Sequence, residues 1–420
     1  MPHARIVELT FHDEDLAAVP LPRGTLHVTR GIGSGLSRRV GDPADIVWAI
    51  GDRGPNLKLS LAIDRYGVDD LAVHADKAGA KVMPCPEIGP AIVELQVGDD
   101  RVTARRTLPL LDASGRALSG LPPAGTDARA AEPALRFDGT FLPPEPGGAD
   151  TEGIAVAPDG SFWVGEEYGP SLFHLGPDGS VRARWVPAGA DELFAGADYP
   201  VVGALPSLAA RRRLNRGFES LALSADGVRL HLAFQSPLAH PDEHAGRHAR
   251  HVRLWTLDSA TGSLLAEHLY PLDKPSSFRR DSDLGDVDRA DVKVCDMAML
   301  GADTLVVLER VSATAKLYLT RLDPARAIAS SWVDPATEPT IEQLSAHNTL
   351  DLPVLDKRLL FSTDDHPEIA PDLEGLAILD ERTILLVNDN DFGVEGVATR
   401  FWRVTLAEPI APSHESHHVR

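Results

Sequence analysis

Between Glu152 and Pro187 the chain reads EGIAVAPDGSFWVGEEYGPSLFHLGPDGSVRARWVP. Apolar runs of four to seven residues alternate with Pro-Asp-Gly and Asp-Gly-Ser, whose residue types set the φ values of tight turns. The spacing predicts four short strands joined as a meander, and nothing in it has helical period. In outline it is one propeller blade.

The pattern recurs. An acidic or hydroxyl residue opens a short apolar strand, a turn follows, and a second strand ends in another polar cluster. The copies run from Ser34 to Asp52, Glu152 to Glu166, Glu219 to Gln235, Asp296 to Glu309 and Glu374 to Asn388. After the first copy they start 67, 77 and 78 residues apart. A minimal blade needs roughly 40–50 residues, so insertions are expected at 55–90, 111–148, 188–214, 238–250 and 323–356. Residues 91–110 read as a hairpin completing the first blade. Strands at Arg5–Phe11 and Gly24–Thr29 are expected to pair with C-terminal strands and close the ring. The fold class is therefore all-β: a single β-propeller over residues 1–410 with four-stranded antiparallel blades, then a flexible tail over 411–420. Five copies are countable; six blades are favoured, with five or seven open.

Composition agrees. The 420 residues include 35 Gly and 33 Pro, which disfavours a long helical bundle. Forty-one Lys and Arg against 62 Asp and Glu give a formal charge of −21. Such a balance excludes phosphate-backbone binding as the main business and suits a chain that holds cations. Cys85 and Cys295 have no CxxC partner and read as reduced structural thiols. The first thirty residues carry charge every few positions, with no leader-like apolar run. A cytoplasmic location is expected, or a secreted one if a leader has been removed, with a small-molecule partner and neither nucleic acid nor membrane.

Meander geometry turns the repeat into a site. The start of a first strand and the end of a second lie at the same sheet edge, and the innermost strand of a blade lines the central channel. Glu152, Glu219, Asp296 and Glu374 are thus expected to ring one channel mouth. Asp52, Glu166, Glu167, Glu309, Lys316, Asn388 and Asp389 should lie beside them. Carboxylates crowded in a narrow space repel unless a counter-ion joins them, and Ca²⁺ accepts six to eight oxygens in a tolerant geometry. The competing structural reading is that each carboxylate caps its strand by accepting backbone N–H groups. Arg53 and Arg310 offer forks for an anionic group or, equally, ion pairs to the adjacent acids.

The segments DTEGIAVAPDGSFWVGEEYGP, NRGFESLALSADG, VLERVSATAKLYL and DLEGLAILDERTILLVNDNDFG resemble the phytase-like family of β-propellers, named for the esterase-like activity of phytase. GIGSGL followed by IGDRGPN fits the family's opening blade. The similarity spans roughly Gly31 to Leu406, and it implies a propeller and a hydrolase.

Other motifs fail. Asn388-Asp-Asn-Asp resembles an EF-hand opening, but Phe392 and Thr399 occupy positions that need oxygen ligands. Asp281-Ser-Asp-Leu-Gly-Asp lacks Gly at its sixth place, and Gly31-Ile-Gly-Ser-Gly-Leu has Leu36 where a dinucleotide loop needs Gly. His240, His244, His248 and His251 read as a mobile basic loop more readily than as a zinc site. The residues thus point to a phosphoester or carboxylic ester hydrolase. Glu152, Glu219, Asp296 and Glu374 would hold Ca²⁺, with Glu152, Glu219 and Glu374 also available as general base. Arg53 and Arg310 would steady the developing charge. The alternative is a non-catalytic ligand- or partner-binding propeller; a quinone-dependent dehydrogenase is disfavoured by only 23 aromatic residues. Circular dichroism should show a strand-dominated spectrum; a mainly helical one would overturn the fold and the site together.

Overall fold

The structure is a computed structural model and describes residues 4–77, 79–124 and 132–411. Nearly all of the expected tail, and the centre of the 111–148 insertion, lie outside those residues. The fold is all-β, and the α-helices among the described residues span only four to six residues each. None is long and apolar enough to cross a membrane.

Five antiparallel meander sheets carry the architecture. The first comprises Gly35–Ser37, Ile46–Ile50, Ala91–Val97 and Val102–Pro109. The second is the stretch read above: Thr151–Val156, Phe162–Glu166, Ser171–Leu175 and Val181–Pro187, extended by a parallel strand, Val201–Leu205. Its turns form as the residues dictate: Gly160 and Gly179 take φ of +85° and +86°, and Asp159 Oδ1 accepts the Ser161 N–H at 2.9 Å. The third sheet comprises Phe218–Leu223, Arg229–Phe234, His251–Asp258 and Leu264–Pro271. The fourth comprises Lys293–Met299, Thr304–Arg310, Ala315–Arg321 and Lys357–Ser362. The fifth joins Leu373–Ile378, Thr383–Asn388 and Phe401–Thr405 to the N-terminal strand Arg5–Leu9, which pairs antiparallel with Phe401–Thr405.

Each sheet presents apolar side chains on both faces, so each is buried between two others. Trp48 and Ile92 of the first meet Phe162 and Phe173 of the second. Trp163 and Trp185 then meet Phe218 and Trp255. Leu254 and Tyr270 meet Val294 and Val307; Leu308 and Leu317 meet Leu386 and Trp402. The fifth sheet packs back on the first through Leu385 and Phe401 against Val47 and Val93. Each such aromatic or aliphatic side chain stabilises the fold by about 1.5–3 kcal/mol through burial. The innermost strands touch in the same order, and the last touches the first.

Two expectations change. Six blades were favoured, with five or seven open, and the described residues form five sheets of this kind, one per recognised copy. The reason lies in Gly24–Thr29, which pairs only with Asp15–Leu21 as a separate hairpin instead of joining C-terminal strands. That hairpin packs Leu26 and Val28 on Leu57 and Tyr66 of the 55–90 insertion and on Phe392. The second correction is in 238–250, where Glu243–His248 is a helix capped by Asp242, not an irregular loop.

Arg5–Leu9 is the outer strand of the fifth sheet, so deleting residues 1–10 leaves Phe401–Thr405 as an unpaired edge. The shortened protein should melt lower by at least about 5 °C and scatter light as concentration rises. Unchanged melting would show that the seam contributes nothing.

Candidate functional site

An extra residue sits near the head of the innermost strand in sheets two to five. The strand registers slip between Thr151 and Ile154, Phe218 and Ser220, Val294 and Asp296, and Leu373 and Gly375. Such bulges re-aim side chains. Aligning the registers puts Glu152, Glu219, Cys295 and Glu374 in equivalent places, with Gly153, Ser220, Asp296 and Gly375 one residue later. In the first sheet Ser34 and Gly35 precede Leu36 in the same way. The small residues are needed because backbones meet here. A Cβ on Gly35 would lie 2.8 Å from the Glu152 carbonyl oxygen, and one on Gly153 would overlap that of Glu219.

Asp296 therefore does not join Glu152 and Glu219. It is completely buried, and its carboxylate accepts the N–H groups of Leu36 at 3.1 Å, Leu376 at 2.7 Å and Met297 at 2.8 Å. Burial still pushes its pKa well above the usual range. Asp296 ties three innermost strands together, as the strand-cap reading predicts. Glu374 is also withdrawn, because it pairs with Arg310.

What converges is a belt of carboxylates. Oxygens of Asp52, Asp150 and Glu152 lie within 4.8 Å of one another; so do those of Glu152, Glu167 and Glu219, and those of Asp52, Asp389 and Asp391. Asp52 and Glu152 each belong to two trios, which makes the belt continuous. Burial, followed by the charges of Glu219, Asp52 and Asp150, drives Glu152 well above the usual carboxylate range. Burial and Glu167 push Glu219 up to about 8. Asp150 rises through burial, against Arg53. Asp52 is also pushed up by burial, but the Asp150 carboxyl and Arg53 outweigh that and hold it low.

Arg53 is committed to this belt. Its guanidinium pairs with Glu132, reaches Asp150 at 2.7 Å and Glu167 at 3.9 Å, and stacks over Tyr168 at 5.1 Å. Arg310 is equally occupied: it pairs with Glu374, reaches Asp372 at 2.8 Å, and its Nε donates to Cys295 Sγ at 3.2 Å. Neither arginine is free for a substrate. Two further cations, without an ion pair among the described residues, were not singled out by sequence; one of them, Arg216, donates from Nη1 to the Asn215 carbonyl at 2.8 Å. Arg216 and Lys293 line a cavity of about 340 Å³ beside the belt. Arg216 Nε is buried without an acceptor. Lys293 is pulled down to about 8 by burial and by Arg310 and Arg216.

The remaining expected residues divide by strand alternation. Glu167 and Asp389, one residue past Glu166 and Asn388, join the belt. Glu166 turns away to Arg184 at 2.8 Å and to the Ser171 hydroxyl. Glu309 pairs with Lys357 at 2.6 Å. Lys316 pairs with Asp273 at 2.8 Å, and Asn388 accepts the Arg400 N–H at 2.6 Å. These four are structural. Asp150 and Asp391 were missed, yet the signal was present: Asp150-Thr-Glu152-Gly matches Asp372-Leu-Glu374-Gly, and Asp391 closes the loop set aside as a failed EF-hand. Asp281 is structural as expected, accepting the N–H groups of Ser312, Ala313 and Thr314. No histidine joins one of these carboxylate trios among the described residues.

A family model described as "Phytase-like: Esterase-like activity of phytase" matches residues 31–392. A curated relative from Arthroderma benhamiae, described as an uncharacterized secreted protein, is 27% identical over 238 residues. That match covers 51% of this chain and 44% of the relative, so the chain spans less than half of its length. Among solved structures, the major Malassezia sympodialis allergen Mala s 1 aligns at 10% identity and TM-score 0.37, covering 98% of this chain and 99% of the other. The Myceliophteria thermophila Cps50 (Swd1) β-propeller domain aligns at 8% identity and TM-score 0.34, covering 94% and 100%. Scores this low decide nothing about the site.

The raised carboxyls fix a pH dependence. Glu219 has a reference value of 4.5 and titrates near 8 in the folded chain. Between those values the folded state keeps a proton that the unfolded state has lost, so stability falls as pH rises. With chelator present, melting temperature should drop from pH 5 to pH 8, and Glu219→Gln should flatten the drop. A wild-type curve rising over that interval would contradict the burial of unpaired carboxyls.

Proposed function

Because the chain belongs to the phytase-like family, we propose that it is a hydrolase of a phosphoester or carboxylic ester, assisted by Ca²⁺ at the carboxylate belt. We read the five sheets as the blades of a five-bladed propeller, with the belt across one mouth of its axis. The observation that carries the proposal is that the belt's partners leave some of its buried oxygens unsatisfied. Among the described residues no hydrogen-bond donor reaches Asp150 Oδ1 or Glu219 Oε2, although both are buried. Two oxygens bound to one Ca²⁺ at 2.3–2.6 Å lie at most roughly 5 Å apart, which matches the 4.8 Å groupings. Hard oxygen donors alone suit Ca²⁺ better than zinc.

Asp52, Asp150, Glu152 and Glu167 would hold the ion, and Arg53 keeps three of them from repelling one another apart. A bound Ca²⁺ would polarise the ester oxygen and lower the pKa of water. Glu219 has one oxygen held by the Gln235 amide, which leaves Oε2 to take a proton from the attacking water or return it to the leaving oxygen. Arg216 and Lys293 would carry the negative charge that develops on the substrate. The substrate is thus a small anionic or ester molecule. The cytoplasmic location expected from the first thirty residues stays a proposal, since the fungal relative is described as secreted; fractionation of the producing cells tests it.

Calcium should raise the melting temperature by mass action on the folded state, and chelator should reverse the rise. Glu152→Gln should shrink that shift while Glu374→Gln leaves it intact. On p-nitrophenyl phosphate and p-nitrophenyl acetate, the Glu152→Gln/Glu219→Gln double variant should lose about 100-fold or more in kcat/KM. Equal activity in the double variant and the wild type would favour a non-catalytic binding protein, and a melting curve indifferent to calcium would sink the calcium site.

A further inference from the structure

The innermost strands run away from the belt and open, at their far ends, into a second cavity of about 530 Å³. Asp296 lies near the strand heads, between the belt and this space, and ties the strands on its way. The volume falls within the range of small-molecule pockets. Leu223, Met299 and Ile378 come from three different sheets, and all three stay only half-buried in the wall. Methionine adapts to irregular apolar shapes, so this wall favours a flexible hydrocarbon over a rigid ring.

The charged groups lining this cavity are Arg38, Arg229 and Asp226. Arg38 lines the wall; its Nη1 donates to the carbonyls of Ile378 at 3.2 Å and Leu379 at 2.9 Å, while its Nε is buried without an acceptor. Arg229 lies at the rim, exposed, with no ion pair among the described residues. Asp226 shares the wall: its Oδ1 accepts the Ser224 hydroxyl and the Val228 N–H at 3.1 Å, and its charge acts on Arg229. Two guanidinium groups against one carboxylate leave the wall net positive, which beside its apolar surface suits a carboxylate head on a hydrocarbon tail.

The geometry points to this far-end cavity as a binding site for an amphipathic monocarboxylate of medium chain length, with its tail along Leu223, Met299 and Ile378 and its head on Arg229 and Arg38. The site is separate from the carboxylate belt and does not depend on hydrolysis.

Calorimetric titration of the full chain with decanoate and with 1-decanol, in calcium and in chelator, tests it. Decanoate should bind saturably at one site, at least tenfold tighter than 1-decanol, and equally with and without calcium. Arg229→Ala should weaken decanoate at least tenfold without changing the melting temperature, and Met299→Glu should abolish binding. Absence of saturable binding overturns the site. So does equal affinity for decanol and decanoate in the wild type, or loss of decanoate binding in Glu219→Gln, which would place the ligand at the belt.

Discussion

The molecule is organised by how closely its innermost strands approach one another. Where they meet there is no space for a side chain, so Gly35, Gly153 and Gly375 stand where a Cβ would strike neighbouring backbone or side-chain atoms. The innermost strands of sheets two to five relieve that constraint with an extra residue. The extra residue is what throws Glu152, Glu219 and Glu374 out of the ladder. Crowding of backbone thus creates crowding of charge.

That chain of cause also explains what sequence could and could not reveal. The meander, the hairpin at 91–110 and the pairing of the N-terminal strand with the C-terminal ones follow from turn residues and apolar runs, which act locally. Glu152, Glu219, Glu167, Asp52 and Asp389 were found because the repeat carries them. Asp296 was misassigned by one residue: its copy has Cys295 where the others have Glu, and only the pairing register shows the offset. Arg53 and Arg310 were correctly placed but not correctly employed, because their partners Glu132 and Asp372 lie 79 and 62 residues away. Arg216 and Lys293 carry no motif, and three-dimensional proximity alone reveals them.

The belt and its arginine illustrate why buried charge is arranged in such sets. A lone carboxylate in this position would simply hold its proton. Arg53 supplies one positive charge to Asp52, Glu132, Asp150 and Glu167, too little to neutralise them and enough to keep their geometry. The site is left electrostatically incomplete yet structurally firm, a condition suited to a reversible cation.

The seam in the fifth sheet governs how such a molecule comes into being. Its outer strand precedes the other four sheets along the chain, and its remaining three strands follow them. Four sheets can assemble as they are synthesised, each on the face of its predecessor, while Arg5–Leu9 waits through nearly 400 residues for Phe401. Until then the nascent protein is an open arc with two unsatisfied flanks, the condition in which β structures are most prone to pair with the wrong chain. The acidic belt depends on the same event, since Asp389 and Asp391 arrive with the final sheet. An ion held there, as proposed, would therefore depend on the fifth sheet having closed.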